Sequence, residues 1–333
     1  MAETQRNPQG PVGEAKSEIV AELPRACSDE RAAVEFMERQ RWGDTPACPR
    51  CGDTAVRQMK AWDGTRNKRF LWKCSGCKQQ FTVRVGTIME DSPIPLRYWC
   101  YAFWAACAGK KGVSAMQIQR QTGLSYKSAL FMMHRIRYAM TPLTTPPKMD
   151  GIVEVDETYV GGRTVRRSRA ERSALRAAGH KRMPMPPSNK VPVVAVVQRG
   201  GDVRAMVVPT VTAHNVRSIL LGNVEPSARL MTDESNIYTR VGTPFASHES
   251  VKHSLYEYVR GEAHINSAEN FFSRLKRQLY GTHHAVSPKH LHRYVAEVTF
   301  KHNTRWLEDG DRTVEAIRGM DGKRLRYRQP VQH

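Results

Sequence analysis

Cys48-x-x-Cys51 and Cys74-x-x-Cys77 constrain this chain more than any other stretch, because four thiolates on two short knuckles meet at one point around a tetrahedral metal. The pairs stand 22 residues apart. That is a little beyond the spacing of about 15–20 usual for this pattern, and a longer hairpin absorbs the difference. The flanking runs CPRCGDTAVRQMK and RFLWKCSGCKQQFTVRVGTIM alternate apolar with polar residues, as short strands do. The expectation is a β-module over about residues 46–90 held by a structural Zn²⁺. Paired disulfides are the competing arrangement. Cys27, Cys100 and Cys107 are scattered through helix-like sequence, which favours a reducing compartment and a metal.

Charge narrows the partner. Lys and Arg number 52 against 32 Asp and Glu, a formal net charge of +20, and such an excess repels itself unless a polyanion neutralises it. No apolar run approaches the roughly 18 residues of a spanning helix, and MAETQRNPQGPVGEAKSE has no signal-peptide core. Nucleic acid is therefore favoured over a membrane, in a cytoplasmic, nucleoid-associated protein.

After the cysteine module come PLRYWCYAFWAACAG, SAMQIQRQTG and SYKSALFMMHRIRYAM, three helical stretches with Gly112 and Gly123 at the breaks and Ser114 and Ser125 as N-caps. That is the outline of a helix-turn-helix. Tyr126 and Lys127 fall at the start of the last helix, where a recognition helix meets base edges, and Arg135 and Arg137 lie along it toward phosphates. A plain three-helix packing module is the alternative. Beside a zinc ribbon in a basic chain, DNA binding is the better reading.

The proline-rich TPLTTPPK marks a boundary, beyond which strands and helices mix as in an α/β domain. Within it Asp156 lies on strand IVEVDETYV, Asp233 ends strand ARLMTD, and Glu269 opens helix INSAENFFSRLKRQLY. Two carboxylates at about 4 Å repel by roughly 1–4 kcal/mol, so acids converging at one sheet edge ask for a cation. Oxygen-only ligands suit Mg²⁺ or Mn²⁺. Lys276, seven residues after Glu269 on the same helix face, is placed to grip a DNA strand. Strand alternation sets Glu157 opposite Asp156 and puts Glu154 farther back on the same face, so replacing either is expected to leave activity, within a few fold for Glu154. His264 and Asn266 are placed to support the metal ligands.

The run from CPRC through WKCSGCKQQFTVRVGTIME, the helix-turn-helix, VEVDETYVGG, TDES and YVRGEAHINSAENFFSRLKRQLYGTHHAVSPKHLHRYVAEVTFKHN resembles the zinc-ribbon DDE transposases of bacterial insertion sequences, the group similar to Merlin elements. The resemblance covers roughly residues 25–307. It implies a ribonuclease H-like catalytic domain with its triad on Asp156, Asp233 and Glu269, a divalent metal, cleavage at terminal inverted repeats, and transfer of 3′-hydroxyl ends into target DNA. Action as a homo-oligomer on DNA ends is part of the same expectation. A DNA-binding regulator with a silent α/β domain, and a nuclease without strand transfer, are the competing readings.

The expected organisation is a disordered tail over 1–24, an N-terminal helix and zinc ribbon over 25–90, and a helix-turn-helix over 91–140. A linker over 141–149 and the ribonuclease H-like domain over 150–307 follow, the latter with a basic, mobile insertion at 163–190, and a C-terminal tail runs over 308–333.

Overall fold

Capped helices build the amino-terminal part of the chain. The computed structural model describes residues 18–162, 168–179, 190–238, 241–251 and 259–326, and the chain divides into two compact units, 1–146 with 296–333, and 147–295.

In the first unit, α1 (Glu18–Ser28) and α2 (Glu30–Trp42) precede the ribbon, and Asp29 caps α2 by accepting the Ala32 amide at 2.8 Å. The ribbon is a three-stranded antiparallel sheet, β1 (Val56–Gln58), β2 (Trp72–Cys74) and β3 (Gln80–Phe81). Then come α3 (Leu96–Ala108), α4 (Ala115–Thr122) and α5 (Tyr126–Ala139). Ser114 and Ser125 cap α4 and α5, accepting the amides of Gln117 and Ser128. Between them Gly123 takes a left-handed φ of 71°, the conformation that ends a helix cheaply only for glycine. Phe36, Met37, Trp99, Phe103, Ile118, Met133 and Ile136 form the core, each worth about 1.5–3 kcal/mol of apolar burial.

The second unit is a five-stranded mixed sheet with helices. Its elements are β4 (Ile152–Val160), α6 (Arg169–Ala177), β5 (Val191–Gln198), β6 (Val203–Val207), α7 (Ala213–Asn223), β7 (Arg229–Asp233), β8 (Ser247–Val251) and α8 (Asn266–Gln278). Strand order is β6-β5-β4-β7-β8; β6, β5 and β4 pair antiparallel, whereas β4, β7 and β8 pair parallel. Three antiparallel strands followed by parallel ones, with β4 central, is the ribonuclease H-like topology. α9 (Leu291–Asn303) and α10 (Asp309–Arg318) complete the described chain.

Three segments differ from their sequence-based reading. Residues 18–24, expected in a tail, belong to α1, whose Leu23 and Ala26 are buried; Pro24 within the helix hides the pattern. The expected C-terminal tail carries α10, with Val314, Ala316 and Ile317 in the first unit's core. The run SNIYTRV after Asp233 reads from its pattern as a helix, and is instead a turn as far as Tyr238. Within the basic insertion, α6 forms behind a capping box of Ser168 and Glu171; residues 163–167 and 180–189 lie outside the described residues.

Candidate metal centres and DNA-binding surface

β4 is covered on both faces, so every polar side chain on it requires a partner. Val153 and Val155 join Val216 and Leu220 of α7 in one core cluster, while Ile152 packs with Met231, Val251, Ala263 and Ile265 on the other face. By strand alternation Glu154 and Asp156 share the second face, the side on which α8 lies. Glu157 is on the α7 side, and there the Tyr238 hydroxyl donates to it.

The parallel register pairs Ile152 with Arg229, Val153 with Leu230 and Glu154 with Met231. Two residues beyond that pairing, Asp156 and Asp233 fall on the same face of these neighbouring strands. Glu269 sits on the opening turns of α8 and is exposed. Burial, together with repulsion from Glu157, Asp233 and Glu269, pushes the Asp156 carboxyl up to about 7, against the Glu157 amide that donates to it at 2.8 Å. Burial also raises the Glu157 carboxyl, and burial plus the Glu157 charge holds the Tyr238 hydroxyl well above its ordinary range.

The structure thus brings Asp156, Asp233 and Glu269 into one another's field. Among the described residues, four cysteines are the group whose ligand atoms all lie within 4.8 Å of one another, and the three acids are more widely spread. Like charges with no cation between them stand apart, and the outer ligands of a two-cation site bind different ions.

Glu154, to which strand alternation assigns no role, is tied into the fold. It is fully buried, and its carboxylate accepts the Ser267 amide at 2.7 Å, the Ala268 amide at 3.1 Å and the Ser267 hydroxyl at 3.1 Å. Arg199 Nε donates to it at 2.9 Å, and His264 Nδ1 lies 3.3 Å away. Ile265 at the N-cap of α8 provides no side-chain cap. Glu154 therefore serves as that cap from another element, satisfying amides the helix leaves unbonded. Reasoning from sequence missed this role, as it missed Arg199 and Tyr238. The available signal was a glutamate between Val153 and Val155 in a central strand, where an unpaired charge is too costly.

In the ribbon, Cys48 Sγ lies 3.6 Å from Cys77 Sγ and Cys51 Sγ 3.6 Å from Cys74 Sγ. Four sulfurs at about 2.3 Å from a tetrahedral Zn²⁺ stand about 3.8 Å apart, so the donor set fits structural zinc. Trp42 of α2 packs edge-on against Trp72 and Phe81 at 5.8 and 5.9 Å. Glu38 accepts the Trp72 indole N–H at 2.7 Å, joining α2 to the ribbon.

The helix-turn-helix expectation needs one correction. Tyr126 and Lys127 are exposed at the start of α5. Arg135 and Arg137, expected to reach phosphates, are buried. Arg137 Nε donates to the buried Glu297 carboxylate at 2.7 Å. Arg135 donates to the Glu90 carbonyl at 3.1 Å and lies over the Phe131 ring at 4.6 Å. Their positions along α5 turn them into the unit, so they hold the helix rather than meet solvent. Lys276 is exposed on the last turn of α8.

Fold and site together define a ribonuclease H-like unit with a carboxylate cluster, in one chain with a four-cysteine ribbon and a helix-turn-helix. Residues 148–303 match the ISXO2-like transposase domain and residues 28–80 the transposase zinc-ribbon domain. The chain therefore carries a transposase zinc ribbon and an ISXO2-like transposase domain. It is 28% identical over 269 residues, 80% of this chain and 88% of the other, to an uncharacterized protein in transposable element ISH50 of Halobacterium salinarum. A chain in the cryoEM structure of a simian T-cell lymphotropic virus intasome in complex with PP2A regulatory subunit B56 gamma is 14% identical, covering 55% of this chain and 67% of that one, with a TM-score of 0.26. That likeness is too remote to bear on the fold. Among the described residues no helix is long and apolar enough to cross a membrane.

Proposed function

We propose that this transposase binds the terminal inverted repeats of its own insertion sequence and catalyses metal-dependent strand cleavage, then transfer of the 3′-hydroxyl ends into target DNA. Asp156, Asp233 and Glu269 are the residues that would hold Mg²⁺ or Mn²⁺. The observation that carries the reading is geometric: Asp156 and Asp233 fall on the same face of neighbouring strands, and Glu154 ties the helix that bears Glu269 to that face. Burial first, then repulsion from Glu157, Asp233 and Glu269, pushes the Asp156 carboxyl up to about 7. A cluster kept in that state without a counter-charge is costly, and hard divalent cations are the partners its oxygen donors select. When bound, such cations activate an attacking oxygen and stabilise a leaving one in phosphoryl displacement.

The chain's own residues prepare that chemistry. β4 and β7 fix two carboxylates side by side, and Glu154 ties the start of α8 to β4, holding Glu269 in register with Asp156. Lys276 offers a cation to a DNA strand two turns beyond Glu269. In the first unit α5 enters the major groove with Tyr126 and Lys127 toward base edges. In this reading residues 91–140 choose the DNA and residues 150–307 cut and join it, on DNA ends held by a homo-oligomer.

Incubating the full-length protein with labelled element ends tests the proposal. Mg²⁺ should be needed for nicked and joined products, and Asp156→Asn, Asp233→Asn and Glu269→Gln should each abolish both. Cleavage at the wild-type rate by Asp233→Asn would mean that the acids are misassigned. Cleavage without joining in the wild type would favour a simple nuclease.

A further inference from the structure

The ribbon hairpin presents a tryptophan that nothing among the described residues covers. Met59 N donates to Leu71 O at 2.8 Å, Asn67 N to Met59 O at 3.0 Å and Ala61 N to Thr65 O at 2.8 Å, so β1 and β2 extend into a closed hairpin. Gly64 N donates to Ala61 O at 3.1 Å, and Asp63 Oδ1 accepts both the Thr65 amide at 2.9 Å and its hydroxyl at 2.6 Å. Gly64 holds φ at 80°, a conformation natural to glycine. The tip is a built turn, and on it Trp62 is 99% exposed.

The same hairpin carries cations without counter-charges. Arg57 and Lys73 are directly opposed in the β1–β2 register, on the face opposite buried Trp72 and Cys74. Like charges directly opposed on neighbouring strands repel, an arrangement that an external anion relieves. Lys60, Lys68 and Arg69 are exposed nearby in sequence. Among the described residues, none of these five cations joins an ion pair. Asp63 is the only acid from Thr54 to Met89, and its carboxylate is committed to the turn.

We propose that this hairpin is a DNA-contacting element separate from the helix-turn-helix, with Arg57, Lys60, Lys68, Arg69 and Lys73 toward phosphates and the Trp62 indole packed on bases. An indole offers its ring face to any unpaired base, so the contact adds affinity with little sequence choice. A ring held on a rigid turn loses little freedom on docking, unlike a long aliphatic cation. The proposal rests on DNA being the partner and is independent of the assignment of the catalytic acids, since its test reads binding alone.

The test uses the full-length, zinc-loaded protein and a mixed-sequence DNA duplex with a short single-stranded overhang, whose unpaired bases leave their ring faces open. Acrylamide quenching of tryptophan emission is compared between wild type and Trp62→Phe, the difference reporting Trp62. That difference should be large for free protein and should collapse when duplex is added. Trp62→Ala should retain zinc and weaken binding roughly tenfold, with Trp62→Phe recovering part of the loss. Lys60→Gln with Lys68→Gln should lower the slope of log affinity against log salt by about 1.8.

Lys127→Ala provides the separating arm. If it alone weakens binding while Trp62 stays open to acrylamide on the duplex and Trp62→Ala binds normally, the hairpin proposal falls and the helix-turn-helix reading stands. If Trp62 becomes shielded as protein concentration rises without DNA, the tip is a self-association surface and the proposal also falls. Failure of the wild type to bind any duplex would overturn the DNA reading itself.

Discussion

The Glu154 carboxylate lies 2.7 Å from the Ser267 amide nitrogen, joining the strand residue two before Asp156 to the helix residue two before Glu269. One buried side chain thus ties together the two elements that carry the outer members of the proposed triad. Removing one partner from a buried charged network costs about 3–5 kcal/mol. Glu154→Gln is therefore expected to lower stability by an amount near that range and to cut end cleavage by more than tenfold, although it binds no metal in the proposed mechanism. Denaturant unfolding measures the first effect. Hydrogen exchange should show faster opening at Ser267 and Ala268 than at the end of α8. Wild-type cleavage and exchange would show that the link is not needed.

Neutralising Asp156 is expected to have opposite effects on stability and on chemistry. Without a divalent cation, Asp156→Asn removes a carboxylate that burial and three neighbouring acids disfavour, so the variant should melt higher than wild type in EDTA, by about 1–3 kcal/mol of added stability. Mg²⁺ should raise the melting temperature of wild type but scarcely that of the variant. DNA shifts should remain while cleavage disappears. A variant less stable than wild type in EDTA would argue that Asp156 carries no such penalty.

Zinc removal should unfold the ribbon before the rest of the chain. The four sulfurs and the small cluster of Trp72, Phe81, Cys48 and Cys74 are what hold its short strands, too little apolar surface to fold alone. Metal analysis should find about one zinc per chain, lost in Cys48→Ser or Cys77→Ser. Trp72 emission should shift to the red on chelation. Unchanged emission after complete removal of zinc would contradict a metal-dependent ribbon.

Arg137 and Lys127 lie ten residues apart in one stretch of helix and should fail in different ways when replaced. Arg137→Gln takes one of two cations from the buried Glu297 carboxylate, Lys301 remaining at 3.1 Å, with a loss of about 1–3 kcal/mol of stability. In the protein that remains folded, the salt dependence of DNA binding should be unchanged. Lys127→Ala should leave unfolding untouched and reduce discrimination between element ends and random duplex by about 1–3 kcal/mol. Unfolding curves and competition binding distinguish the two.

Much of the architecture was legible in the linear order of residues. The CxxC pairs announce the ribbon because ligand spacing is a local property, and Ser114, Gly123 and Ser125 announce the helix-turn-helix because caps act within a few residues of themselves. The alternating strand around Asp156 places Glu157 on the opposite face for the same reason. α1 and α10 were not legible, since their burial depends on partners distant in sequence and Pro24 interrupts the local pattern of α1.

The sequence by itself determined which chemical groups are present and their short-range spacing: four thiolates on two knuckles, three acids on successive elements, and a basic excess suited to a polyanion. Only the tertiary structure decided which charges are available for work. Arg135 and Arg137 look like phosphate contacts on a helix drawn alone, yet packing turns both inward, Arg137 onto Glu297, 160 residues away. Glu154 looks like a spare acid beside Asp156, yet it caps a helix that begins more than a hundred residues later. The physical reason is the same in both cases. Desolvation makes a buried charge costly until a partner meets it, and that partner is supplied by the fold at any sequence separation.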